Sequence, residues 1–246
     1  MKHSPFLFAA ILSIYLTPVQ SSNGDIQEFN DYINTSISKA NIAGMSIAIV
    51  SGDSILFAQG YGYSDIQTKE PFTPETVMNI ASISKTFVGV ALMHLVEKGL
   101  IGLDDDVNNF LPFKVLNPHL PESIITPRHL MSHSSGIQDN QKVYLPSYHY
   151  GGDSPMPLGE FLADYLSQDG THYSKKNFTK SKPGEKFVYS NIGAGLAGYI
   201  VERVSGKPLN VFTKEIIFKP LGMNNTCWFL SEMDRAKHSR LYESKK

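Results

Sequence analysis

The chain has 246 residues, 41% of them hydrophobic and 18% charged, with 22 basic against 23 acidic side chains and a formal net charge of −1. That balance lacks the electrostatic footprint of a nucleic-acid or anionic-membrane binder, and the hydrophobic fraction excludes a wholly disordered chain. The 19 Gly and 14 Pro exclude a fibrous or coiled-coil one, and a lone Cys227 excludes an internal disulfide framework or a multi-cysteine zinc site.

Lys2 and His3 precede an apolar stretch from Phe6 to Leu16, then Thr17-Pro18 and small residues. The stretch is too short to span a bilayer, which takes about 20 residues, and reads as the apolar region of a signal peptide over residues 1–21. Cleavage is expected after Ser21, since Val19 and Ser21 fit the small-residue pattern. An exported mature chain, periplasmic or secreted, with no transmembrane segment is the expectation. The remaining residues, 22–246, read as one domain, with a helix and β-hairpin part at 22–78 and a mainly helical part at 79–230.

Ile26, Phe29, Ile33 and Ile37 recur at helical spacing and predict an amphipathic helix over about 25–40. Met45 to Val50 and Ile55 to Ala58 are apolar runs separated by the turn residues Ser51-Gly52-Asp53, the pattern of a hairpin. Two strands alone are marginal in water, so this hairpin needs further strands beside it. Ser82 opens an apolar segment through Val96 that Gly99 closes, which predicts a buried helix over about 82–98. Further helices are expected at about 125–132, 158–167, 191–204 and 208–218. Two long irregular stretches, 134–157 and 168–187, lie between them, and structureless loops of that length are usually functional or mobile.

Ser82-Ile83-Ser84-Lys85 places Ser and Lys on one face of a helix start. A serine hydroxyl is a poor nucleophile until a neighbouring base takes its proton, and a desolvated lysine at a helix N-terminus can serve. The alternative is a helix-capping serine. About one Ser-x-x-Lys arises by chance at this length, and Ser36-Ile37-Ser38-Lys39 repeats the four letters at the end of the first helix. Tyr189-Ser190-Asn191 precedes another predicted helix: its phenol can shuttle a proton and its amide can hold a substrate carbonyl and the lysine. The bland reading is a buried Tyr and an N-cap Asn, and Tyr32-Ile33-Asn34 repeats that triplet too.

Six blocks in order carry more weight than either triplet. They are Ser82-Ile-Ser-Lys85, Gly102-Leu-Asp-Asp-Asp-Val107, Ile125-Thr-Pro-Arg-His-Leu-Met-Ser-His-Ser-Ser-Gly136, Tyr189-Ser-Asn191 with Gly193 and Gly195, Ser205-Gly206-Lys-Pro-Leu209 and Pro220-Leu-Gly-Met223. Together they resemble the class C β-lactamase and penicillin-binding-protein-like family of serine hydrolases, over about Ile26 to Met233. The resemblance implies an α+β fold, an α/β sandwich plus an all-α domain, of β-lactamase/transpeptidase type. It implies that Ser82 is acylated, that Lys85 activates it, that Tyr189 assists proton transfer to the leaving group and that Asn191 contacts substrate, with no metal and no cofactor. Small-molecule or peptidoglycan-derived substrates follow from it: a β-lactam, a D-amino-acid peptide or a small ester.

One departure bears on activity. The family carries a third motif, Lys-Thr-Gly or His-x-Gly, on a strand that supplies an oxyanion donor, and the sequence reaches Lys246 before any such motif. A C-terminally shortened member is therefore expected, with the last sheet strands and the closing helix missing. The alternative to an exported serine hydrolase is an inactive truncated member that binds peptidoglycan-like ligands or a partner chain.

Weaker signals have plain readings. His129 and His133 stand four apart without the glutamate of a metalloprotease helix, and Asp104-Asp105-Asp106 reads as a solvated turn. Lys175, Lys176, Lys180, Lys182 and Lys186 form a basic loop whose sharper reading is attraction to anionic cell-wall polymers, and Tyr144, Tyr148, His149 and Tyr150 are candidates to line a cleft. Asn34, Asn177 and Asn224 begin Asn-x-Ser/Thr sequons.

Overall fold

A computed structural model describes residues 23–149 and 151–242; the predicted leader lies outside them. The chain divides into two compact units, one running to Thr76 and resuming at Ser239, the other spanning Val77–His238.

In the first unit, helix α1 (Asn23–Lys39) is followed by strands β1 (Gly44–Ser51), β2 (Ser54–Asp65) and β3 (Glu70–Pro71) in an antiparallel sheet of order β1-β2-β3. The helix lies on the sheet through Phe29 against the edge of Phe57, ring centroids 5.7 Å apart, and through the Tyr61 hydroxyl, which donates to Asn30 Oδ1 at 2.6 Å. β2 runs well beyond the predicted Ala58. Its continuation, Gln59-Gly60-Tyr61-Gly62, has no apolar run to betray it, because Gly60 is needed where the Phe72 carbonyl crosses: a Cβ there would stand 2.0 Å from that oxygen. The third strand supplies the company the hairpin needs, although Val50, Ile55 and Leu56 stay 65–71% exposed. The returning chain is pinned to the end of β2, where the Arg240 N–H donates to Ser64 O at 2.9 Å and the Arg240 guanidinium pairs with Asp65.

The second unit holds the larger core. Helix α2 (Ser84–Glu97) packs on α6 (Asn191–Ser205), and α3 (Pro127–Met131), α5 (Leu158–Leu166) and α7 (Leu209–Thr213) each lie against α6. Leu92, Leu95, Leu162, Leu196 and Ile200 are fully or almost fully buried, each worth about 1.5–3 kcal/mol on transfer from water. Local sequence sets the ends. Gly99, at φ +68°, closes α2 in a Schellman arrangement, with Gly99 N–H bonded to Val96 O and Leu100 N–H to Leu95 O. Thr126 caps α3 through a capping box with His129, and Pro127 takes the first helical position.

Three expectations need correction. The helix predicted from Ser82 begins as a 3-10 turn, Ala81–Ile83, and becomes α-helical at Ser84. Ala81 is the cause: it sits at φ +46° with its N–H taken by Asn79 Oδ1 at 2.7 Å, so the chain turns sharply into the helix. The stretch 134–157 is not structureless. Asn140 caps a short helix α4 (Gln141–Tyr144), and a 3-10 turn, Leu145–Ser147, follows. The predicted helix over 208–218 is α7 followed by a π-turn, Lys214–Phe218.

Candidate active site

Ser82 is exposed in the 3-10 turn that leads into α2, and its Oγ receives two hydrogen bonds. Lys85 Nζ donates at 3.1 Å from one turn along, and the Tyr189 hydroxyl donates at 2.7 Å from 107 residues away. The Ser82/Lys85 pairing is local, a consequence of i, i+3 spacing across the 3-10 and α turns. The arrival of Tyr189 is a tertiary event. Lys85 also lies over the Tyr189 ring, 5.2 Å from its centroid, and is half-buried. The Lys85 hydrogen bond, and after it the Ser82 bond, draw the Tyr189 phenol below its ordinary range, with desolvation opposing them. A lowered phenol touching a serine hydroxyl is chemically equipped to exchange a proton with it.

The turn carrying Tyr189 is braced from outside. His133, itself at φ +52°, sets its ring 4.5 Å from the Tyr189 ring, centroid to centroid, and accepts the Ser190 N–H on Nδ1 at 3.3 Å. Its backbone carbonyl accepts the Val188 N–H at 2.7 Å. Burial, then the charge of Lys85, hold the imidazole below its ordinary range, with Asp139 pulling the other way. Ser190, which is 1% exposed, caps α6 by accepting the Gly193 N–H at 2.9 Å. The N-cap is therefore Ser190 and not Asn191.

Asn191 is half-buried and donates from its side-chain Nδ2 to Asp139 Oδ2 at 2.7 Å, so the nitrogen end of this amide is held by a carboxylate. Asp139 is the member of the site that the sequence reading missed. It follows the third block by three residues, and no catalytic spacing points to it. The signal that would have found it is the Ser-Ser-Gly-Ile-Gln-Asp run leading out of that block toward a polar helix start.

Of the other candidates, Ser36, Lys39, Tyr32 and Asn34 all fall on α1, in the other unit. His129 Nδ1 is occupied by the Thr126 N–H at 3.2 Å. The three aspartates each have a local partner: Asp104 forms a two-pronged pair with Arg128 at 2.7 and 2.8 Å, Asp105 accepts the Gly102 N–H at 2.6 Å, and Asp106 accepts the Asn108 N–H at 2.9 Å. Asn177, at 0% exposure, donates to the Tyr165 and His172 carbonyls, so its sequon offers no accessible amide. Lys175, Lys176, Lys180, Lys182 and Lys186 are exposed. Lys85 and Asn191 stand in the wall of a groove of about 1440 Å³ that also touches Phe113, Tyr144, Met156, Phe161 and Trp228. His149 lines it, while Tyr148 reaches Tyr144, hydroxyl to hydroxyl, at 2.6 Å; Tyr150 lies outside the described residues. Among the described residues no helix is long and apolar enough to cross a membrane.

An α+β fold of β-lactamase/transpeptidase type, presenting a Ser-x-x-Lys and a tyrosine around one hydroxyl, defines the class of serine-hydrolase-like proteins. Residues 25–246 match the Beta-lactamase family model, and the chain belongs to that family. It is 30% identical over 223 residues to the protein flp of Staphylococcus aureus (strain MRSA252), covering 89% of this chain and 41% of that protein. The octameric penicillin-binding protein homologue from Pyrococcus abyssi superposes with a TM-score of 0.72 at 33% identity, covering 87% of this chain and 47% of the other. The D-amino acid amidase from Ochrobactrum anthropi SV3 gives a TM-score of 0.64 at 25% identity, covering 87% and 57%. The chain thus spans about two fifths of the length of the curated relatives it matches.

Proposed function

We propose that this protein is a serine hydrolase that works through an acyl-enzyme on Ser82, with Lys85 and Tyr189 handling the proton. The observation that carries the reading is the convergence of Lys85 Nζ and the Tyr189 hydroxyl on Ser82 Oγ at 3.1 and 2.7 Å. For Ser82 to attack a carbonyl, its proton must leave as the bond forms. Tyr189 as phenolate accepts it, the Lys85 ammonium stabilises that phenolate, and the same phenol then returns the proton to the leaving group. The direction of the Tyr189 shift supports this assignment, since charge from Lys85 favours the deprotonated phenol. The Ser82 backbone N–H, in the 3-10 turn that leads into α2, is proposed to donate to the developing oxyanion.

The substrates we propose are β-lactams, D-amino-acid peptides or amides, and small esters. The fold alone does not choose among chemistries, but family membership and the likeness to a D-amino acid amidase support acyl compounds of this kind. Asn191, in the wall of the groove, is proposed to contact the acyl portion. The leader-like residues 1–21 support an exported protein.

Intact-mass spectrometry of the protein incubated with a penicillin and, separately, a fluorophosphonate tests the proposal, with Ser82→Ala as control. A stoichiometric adduct on the native chain that is lost in the variant is expected. Folded protein that forms no adduct with either reagent would refute it.

A further inference from the structure

The Asp139 carboxylate is the acceptor for four donors, all from one short segment. Ser190 Oγ and the Ile192 N–H bond to Oδ1 at 2.9 and 3.2 Å; the Asn191 N–H and Asn191 Nδ2 bond to Oδ2 at 3.0 and 2.7 Å. Capping of α6 accounts for the backbone bonds, and Ser190 already caps that helix. The two side-chain bonds, from Ser190 Oγ and Asn191 Nδ2, are left over by that explanation, and the Asn191 bond is the shortest of the four.

Its chemistry is selective. An asparagine amide carries a donor end and an acceptor end of nearly equal shape, so a neutral partner able to donate or accept does not fix which end it meets. A carboxylate is acceptor-only. Facing Asp139, the amide must present nitrogen, because the flipped orientation would set Asn191 Oδ1 lone pairs against those of Asp139. Oδ1 of Asn191 is therefore turned away from Asp139.

Asp139 is itself held on both sides. The Asn140 N–H donates to the Tyr165 hydroxyl at 2.6 Å, and that hydroxyl donates to Gln138 O at 2.8 Å. The Gln138 N–H reaches Asn177 O at 2.9 Å, and Asn140 Nδ2 reaches Asn177 Oδ1 at 3.1 Å. Tyr165 and Asn177 are both 0% exposed. A fixed carboxylate at the end of a rigid clamp is what a preorganised site requires.

We propose that Asp139 is a positioning residue that selects the amide orientation of Asn191. Its effect on rate rests on the acyl-enzyme reading above; its effect on Asn191 does not.

The first test is hydrogen exchange by NMR on 15N-labelled protein, with the Asn191 side-chain amide assigned by its absence in Asn191→Ala. A resonance protected from exchange in the native chain and unprotected in Asp139→Asn is expected. An Asn191 amide that exchanges freely in the native chain overturns the proposal even if Asp139→Asn fails to fold, and so does protection unchanged in that variant. The second test is kinetic. Asp139→Asn is expected to lower the maximal acylation rate with fluorophosphonate by about 10- to 100-fold, as a misplacement of up to about 1 Å can, while the same change made in Asn191→Ala adds less than about twofold. Losses that multiply across the two sites would show that Asp139 does not act through Asn191 and would overturn the proposal. A native chain that forms no adduct refutes the acyl-enzyme reading and leaves the exchange experiment to decide this one.

Discussion

His133 and Tyr189 lie ring against ring, centroids 4.5 Å apart and planes tilted by 39°, and His133 Nδ1 accepts the Ser190 N–H beside the same tyrosine. The histidine therefore forms one wall of the seat in which the phenol reaches Ser82. Replacing it with asparagine removes the ring but keeps a residue that tolerates the left-handed backbone found there. His133→Asn is expected to slow fluorophosphonate acylation about 10- to 100-fold, with far-UV circular dichroism unchanged. A native rate in this variant would show that Tyr189 is held without the ring.

Tyr189 is 43% exposed, so its hydroxyl supports the core very little. Tyr189→Phe is expected to leave the melting temperature within about a degree of native, since surface substitutions usually cost under about 0.5 kcal/mol. The acylation rate with penicillin is expected to fall about 10²- to 10⁴-fold, the usual range for loss of a proton carrier. Stopped-flow kinetics beside calorimetry check both halves, and a rate within threefold of native would assign the proton to Lys85 alone.

Much of the site was legible in the sequence because its parts announce themselves locally. Ser82 and Lys85 sit one turn apart where an apolar helix begins, and order along the chain separated them from the copy at Ser36, which the fold confines to α1. Tyr189 was legible as a triplet before a helix. Asp139 was not, because a lone aspartate in a loop acquires its role only when the chain brings α6 to it, 52 residues later. The fold shows the same division. Periodicity located α2, α5 and α6 within two residues of their ends, whereas β2 was cut short at Ala58 because Gly60, required by the close passage of Phe72, and Gly62, crowded by the Ala43 carbonyl, dilute its apolar pattern. Ala81 at positive φ has no sequence signature, so the 3-10 turn holding Ser82 was hidden.

Stability should fall in two separate acid steps. His129 and His133 are both held below their ordinary 6.5, chiefly by burial. In the unfolded chain they bind protons near that value while the folded chain does not, so stability present above about pH 6.5 is lost as pH falls through the folded pKa values. Asp104, held low chiefly by its Arg128 hydrogen bond, and Asp153, held low chiefly by its Ser231 hydrogen bond, are carboxylates shifted below 3.8. Their contribution is present above about pH 3.8 and is lost only below it. Urea denaturation midpoints from pH 8 to 3 check the shape. His129→Gln keeps a residue suited to the third position of the capping box but cannot titrate, so it should shrink the first step and leave the second. An unchanged first step would place its origin elsewhere.

Tyr165 connects the core to the site, and its removal should be felt in both. The side chain is fully buried, its phenol is pushed up to about 12 mainly by burial, and its hydroxyl bridges the Asn140 N–H and Gln138 O at 2.6 and 2.8 Å. Tyr165→Phe preserves the ring and strands that N–H, a loss of about 1–3 kcal/mol. For a protein of this size that lowers the melting temperature by about 2–4 °C per kcal/mol. Because residues 138 and 140 flank Asp139, the loosened loop should also slow acylation of the folded protein, by more than the small fraction unfolded at 25 °C explains. Calorimetry and fluorophosphonate kinetics on the same sample separate the two effects. A lower melting temperature with a native acylation rate would confine the Tyr165 clamp to stability; a fall in both would tie the buried hydroxyl to the geometry around Asn191.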